Sequence, residues 1–288
     1  MKGIFENSTG FTKLCLLLLI VLGGGCVAIA VSSAYLLLSG SHGNEVESLR
    51  MTLIIQDLFL FILTPIVAQY FLWKAPIGKT LKLSAPKLSI LLFGVIATTA
   101  ISPFIDLLGT WNANLQLPDS MNAIQQWIVE AEKQAELLTK KMLETATWGG
   151  FLTNIFIIAI LAGIGEELLF RGVLQKIFID WTKNIHVGIL IAAFVFSAIH
   201  FQFLGFFPRF ILGAFLGYLY IWSGSIWVPI IAHCFNNALV IIFTPNTFNQ
   251  NCELIQFVSK VDNSSWFVLA SIIVTSLCMW KIYSVRKS

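Results

Sequence analysis

A chain of 288 residues in which 57% are hydrophobic and only 11% charged departs from soluble domains, where about a quarter of residues carry charge. With a mean hydropathy of +0.82, the composition predicts a polytopic membrane protein and excludes an ordinary soluble fold. The net charge of +3 leaves no electrostatic footprint for nucleic acid.

A membrane span needs ~20 mostly apolar residues. Taken in order, the apolar segments predict helices over 14–38, 52–73, 88–109, 149–176, 187–203, 208–222, 226–243 and 265–281. The fold class expected is therefore all-α, a single membrane domain (1–288) of about eight transmembrane helices, the fifth and sixth being short. Lys2 and Lys13 precede the first segment in the manner of a signal peptide. That segment outruns the apolar core of a cleaved signal, so an uncleaved first helix is expected.

Between the third and fourth helices lies a different stretch, Asp119–Ala146. Ile124, Trp127, Ile128, Ala131, Ala135, Leu138 and Met142 recur at steps of three and four, with Glu130, Glu132, Lys133, Glu136, Lys140 and Lys141 elsewhere. Pro118, Asp119 and Ser120 supply a helix start. This predicts an amphipathic helix at the interface or against the bundle, its charges forming a solvated face. In the sixth helix Gly213 and Gly217 form a small-x-x-x-small pair, and Gly23–Gly25 offer the same in the first; both speak of close packing. Trp222 and Trp227 read as interface anchors.

Basic residues set the expected orientation. Lys2 and Lys13, then Lys74, Lys79, Lys82 and Lys87, then Lys176 and Lys183, then Lys281, Arg286 and Lys287 occupy connections that eight spans put on one side. Both termini are thus expected in the cytoplasm, with the protein in a bacterial inner membrane. Of five cysteines, Cys15, Cys26, Cys234 and Cys278 fall in apolar segments and Cys252 in a loop. They suggest neither a disulfide framework nor a metal pair. His42 and His186 lie in connections and carry no signal.

The informative residues are the polar ones inside apolar segments. A charge at mid-membrane costs at least ~2.5–3.5 kcal/mol, so its retention asks for a function. The fourth helix carries Glu166, Glu167 and Arg171; the fifth carries Phe196 and His200; the seventh carries His233 and Asn237. Counted from the cytoplasmic ends at ~1.5 Å per residue, Glu166, His200, His233 and Asn237 share a slab roughly 10–20 Å deep. Converging inside the bundle is how each avoids lipid.

Glu167 and Arg171 are i,i+4 and can pair as carboxylate and guanidinium, whereas Glu166 is turned ~100° away. Phe196 and His200, and His233 and Asn237, share the i,i+4 relation. A carboxylate beside histidines can activate water, with or without a metal holding it, and an amide can donate to an oxyanion. Glu166, His200 and His233 also match a three-ligand open zinc site. Intramembrane Glu and His equally mark proton-coupled transporters. A non-enzymatic immunity or scaffold protein is a further alternative.

On Glu166-Glu167-x-x-x-Arg171, Phe196-x-x-x-His200 and His233-x-x-x-Asn237, over roughly 149–243, the sequence resembles the CAAX protease and bacteriocin-processing family of intramembrane endopeptidases. The resemblance implies hydrolysis of a peptide or protein substrate at the bilayer. Glu166 would activate water, His200 assist proton transfer, and His233 and Asn237 stabilise the oxyanion. Glu167, Arg171 and Phe196 would brace the site. It leaves open whether zinc or glutamate-activated water alone is used.

Overall fold

A computed structural model describes residues 2–39, 45–145, 147–243 and 265–287; His42, Ala146 and Cys252 lie outside them. The described residues form helices and turns and no strand. Among the described residues, six helices are long and apolar enough to cross a membrane, and two apolar ones are shorter. In chain order these are α1 (Gly10–Ser39), α2 (Glu45–Leu72), α3 (Leu88–Ala113), α4 (Asn122–Leu143), α5 (Trp148–Thr182), α6 (Ile185–Ala198), α7 (Phe206–Ser223), α8 (Trp227–Phe243) and α9 (Ser265–Lys287). All but α4 are apolar, and α4 is the amphipathic element expected between the third and fourth spans. The two short apolar helices are α6 and α8, the fifth and seventh spans, and not the fifth and sixth as the sequence predicts.

Within α2 and α5, three described segments are wound more loosely than α-helix. Asp57–Leu63 in α2, and Ile155–Leu161 and Phe170–Leu174 in α5, are wound as π-helix. Such turns concentrate at functional sites because they swing side chains out of the usual register and loosen carbonyls from the ladder. The last two bracket the stretch that holds Glu166 and Glu167.

The core forms where α5 is enclosed. One apolar cluster joins Leu17 of α1, Ala68 and Leu72 of α2, Phe170 and Val173 of α5, and Phe196 of α6. A second joins Ile90 and Ala97 of α3, Leu216 and Leu219 of α7, Val228 and Ala232 of α8, and Met279 and Ile282 of α9. Small residues let α7 approach closely. A Cβ at Gly213 would lie 3.1 Å from the Phe196 ring and 3.3 Å from Ala193. The backbone so exposed is used, since Gly213 and Gly217 accept hydrogen bonds from Arg171 and Gln175 of α5.

α4 lies across one mouth of the bundle and is tied at both ends. Glu132 accepts from the Leu204 N–H at 2.8 Å, and the Trp127 ring meets Phe203 at 5.6 Å. Farther along, the Met142 carbonyl accepts from Asn154, and Lys141 pairs with Glu45. Its carboxylates are therefore not all a solvated face, as the sequence suggested: Glu132 fastens α4 to the α6–α7 turn.

Basic residues gather at the opposite end. Lys74 pairs with Glu6, Lys13 and Lys176 both approach the Trp73 ring, and Arg286 donates to the Ile221 carbonyl. Lys82 lies near Arg286 and Lys176. Burial, with these two cations beside it, brings its amine down to about 8.

Candidate active site

Glu167 is the hub. It is fully buried, and its Oε1 accepts from Arg171 Nη1 at 2.6 Å and from His233 Nδ1 at 2.8 Å. Its Oε2 makes no hydrogen bond among the described residues, so the guanidinium and the imidazole converge on one oxygen. Arg171 spends Nη2 on the Gly213 carbonyl at 2.9 Å and lays its guanidinium over the Phe196 ring at 4.9 Å. The i,i+4 pair read from the sequence is present, but its carboxylate also reaches across to α8 and holds a histidine.

That contact fixes the His233 ring. A carboxylate only accepts, so Nδ1 carries the proton and Nε2 is left facing away. Nε2 lies 3.7 Å from Glu166 Oε2. Glu166 is the more exposed acid, at 17% against 0% for Glu167, as the ~100° turn between neighbouring helical positions requires.

His200 is fixed by the same logic from another partner. Its Nδ1 bonds the Phe196 carbonyl at 2.7 Å, which makes Nδ1 the donor and leaves Nε2 free. The sequence placed His200 within a helix running to 203, but α6 ends at Ala198 and His200 sits in the turn beyond it. The Ser197 hydroxyl donates to the Phe206 carbonyl at 2.6 Å, and Phe201 adopts φ 52, reversing the chain into α7. The phenyl of Phe196 meets both imidazoles edge-on, with centroids 5.1 Å from His200 and 6.0 Å from His233.

Asn237, one turn beyond His233, donates from Nδ2 to the Ile158 carbonyl at 3.2 Å. Ile158 belongs to a π-helical segment, so an altered backbone ladder in α5 meets this amide. A second N–H remains on the same nitrogen.

Glu166, His200, His233 and Asn237 line one cavity of about 330 Å³, with Phe196, Asn236 and Arg209. Glu166 and His200 also line a neighbouring lobe of about 530 Å³ beneath α4, bounded by Leu53, Asp57 and Phe61 of α2 and by Leu138 and Met142 of α4. The two lobes meet at the Glu166–His200 wall. All four sequence-selected polar residues are thus brought together, with Glu167, Arg171 and Phe196 behind them. Sequence reasoning missed Asp57, buried in α2, and Arg209, at the start of α7. The signal was available, since each is a charge inside an apolar segment.

The expected zinc set fits less well. Among the described residues, no three His, Cys, Asp or Glu side chains gather closely enough to hold a metal ion. Both imidazoles of the set Glu166, His200 and His233 donate through Nδ1 and keep Nε2 free, the orientation a ligating histidine also adopts, so the misfit lies in the spacing of the groups alone.

Residues 148–239 match the family model described as type II CAAX prenyl endopeptidase Rce1-like. The chain is 35% identical over 86 residues to a protein of Bacillus subtilis (strain 168) described as uncharacterized protein YpbD, covering 28% of this chain. That alignment spans 41% of the relative's length. No solved structure matches the chain. The stretch 148–239, which carries all three polar motifs on α5, the α6–α7 turn and α8, is thus the part of the chain that is similar to the Rce1-like family.

Proposed function

We propose that this chain is a membrane-embedded endopeptidase in which Glu166 activates the attacking water. The observation that carries the reading is the His233 ring, locked by Glu167 through Nδ1 and turning Nε2 toward Glu166 at 3.7 Å in a cavity that His200 and Asn237 also line. A carboxylate at that wall takes a proton from water, and the hydroxide formed attacks the carbonyl carbon of a bound peptide.

Negative charge then grows on the carbonyl oxygen. The unspent N–H of Asn237, and Nε2 of His233 when it carries a proton, are the donors available to it. As the tetrahedral intermediate collapses, the C–N bond breaks and the leaving amine needs a proton. Glu166 returns the one it took, with His200 Nε2 as the relay. Glu167, Arg171 and Phe196 act by holding the two imidazoles, not by touching substrate.

The substrate is a peptide or protein segment reaching the site from the bilayer or its surface. The large, mainly apolar lobe beneath α4 suits an apolar segment. The gathering of basic residues at one end of the bundle supports both termini facing the cytoplasm.

The experiment compares peptide termini in membranes of cells making wild-type chain or Glu166→Gln. New termini present only with the wild type support the reading. Identical sets of termini, with both proteins inserted and folded, overturn it in favour of a binding or immunity role.

A further inference from the structure

Arg209 is a charge that the proposed chemistry leaves unused. It lies four residues into α7, inside a membrane-spanning segment, and it lines the same cavity as Glu166, His200 and His233. The other arginine of the site, Arg171, is neutralised by Glu167 at 2.6 Å. Arg209 has no such partner: among the described residues no carboxylate lies within ion-pairing distance of it, although the charges of Glu132 and Glu166 act on it from farther off.

Its guanidinium is nevertheless held in place. Nη1 donates to the Gln202 carbonyl at 3.0 Å and Nη2 to Gln202 Oε1 at 2.8 Å, so the planar fork is fixed with N–H donors to spare. Gly205 makes room for it, since a Cβ there would lie 2.5 Å from Nη2. A pre-organised arginine with no carboxylate in ion-pairing distance among the described residues, at the wall of the cavity that Glu166 also lines, is suited to grip a carboxylate with two parallel hydrogen bonds.

We propose that Arg209 forms a carboxylate-binding subsite beside Glu166, which anchors an anionic group of the peptide being cut. The inference rests on the proteolytic reading, because it takes a peptide as the occupant. Repulsion by Glu166 keeps that carboxylate at the Arg209 end and leaves the neighbouring amide bond facing the water that Glu166 activates. The carboxylate has two sources, the peptide's own C-terminus or an Asp or Glu side chain close to the cut.

The test is a binding measurement on the full chain in zwitterionic lipid nanodiscs. The probes are N-acetylated Val-Ile-Leu as the free acid, the same peptide as its C-terminal amide, and the amide of N-acetylated Val-Glu-Leu. Binding of the acid at least 10-fold tighter than of the amide is expected from the wild type and from Glu166→Gln. A matching gain for the glutamate peptide alone assigns the side chain as source. Arg209→Gln should bind all three alike, with Arg209→Lys in between.

Gly205→Ala, which keeps the arginine but displaces its fork, should weaken the acid selectively. It carries the test if Arg209→Gln does not fold. Equal binding of all three probes to the wild type, or a preference that survives Arg209→Gln, overturns the proposal. So does loss of the preference in phosphatidylglycerol nanodiscs, which would assign the site to lipid phosphate. Because no cleavage is needed, failure of this subsite and failure of the protease reading are read separately.

Discussion

Substituting Glu167 by Gln strikes the hub of the site, and its cost can be worked from two contacts. Glu167 Oε1 accepts from Arg171 at 2.6 Å and from His233 at 2.8 Å, in surroundings without solvent. Hydrogen bonds to charged groups are worth about 1.5–3 kcal/mol each, so two of them amount to about 3–6 kcal/mol. Breaking a buried pair from one side gives a similar figure, about 3–5 kcal/mol, because the arginine is left charged and buried. Against a typical folding free energy of about 5–15 kcal/mol, this is a severe loss. Arg171→Met, which strands the carboxylate, should cost about as much. The double variant Glu167→Gln/Arg171→Met strands neither charge and keeps an amide facing His233. It should be more stable than either single variant, giving a coupling energy of about 3 kcal/mol or more between the two positions. Equilibrium unfolding in mixed detergent micelles, followed by circular dichroism, measures all four corners of the cycle. Costs that simply add would refute the claim that Glu167 is kept in place chiefly to balance charge and hold His233.

Other outcomes follow from the same geometry. Asn237→Ala should lower kcat about 10²–10³-fold with little change in KM, because its free N–H is asked to act on an oxyanion and not on the ground state. Cleavage should survive exhaustive chelation, measured with the purified protein before and after dialysis against a strong chelator, because the site's donors do not gather around one point. For Lys82 the folded amine sits at about 8 against the usual 10.5, so the unfolded chain binds more protons between those values. Stability should therefore rise as pH climbs from about 8 to about 10.5, and a Lys82→Met variant should lack that part of the rise in thermal melts.

How much of this was legible in the sequence depends on whether a residue had a partner at helical spacing. Glu167 with Arg171 and His233 with Asn237 stand i,i+4 in apolar runs, so both their faces and their depth could be read. Eight apolar segments gave eight helices, and the three-and-four periodicity of 119–146 gave α4. Asp57 and Arg209 are charges inside apolar segments, which marks them, but with no partner at that spacing neither the face each takes nor its place beside the site could be read. The π-helical turns at 57–63, 155–161 and 170–174 interrupt continuous apolar runs that read as plain helix, so the residue pattern does not mark them. The end of α6 was missed because Ser197, Ala198 and Ile199 continue an apolar helical pattern. The chain turns there through the Ser197 bond to Phe206 and the left-handed Phe201. The second grip of Glu167, on His233, depends on the approach of α5 to α8, which no local pattern encodes.

The central claim is that Glu166 takes the proton from the attacking water. It is tested most directly by the cleavage rate of one peptide, identified from the differing termini, with purified wild-type and Glu166→Gln proteins of equal thermal stability. The account predicts a fall of about 10²–10⁴-fold, the span expected for removing a general base. A rate within a few-fold of the wild type would contradict it.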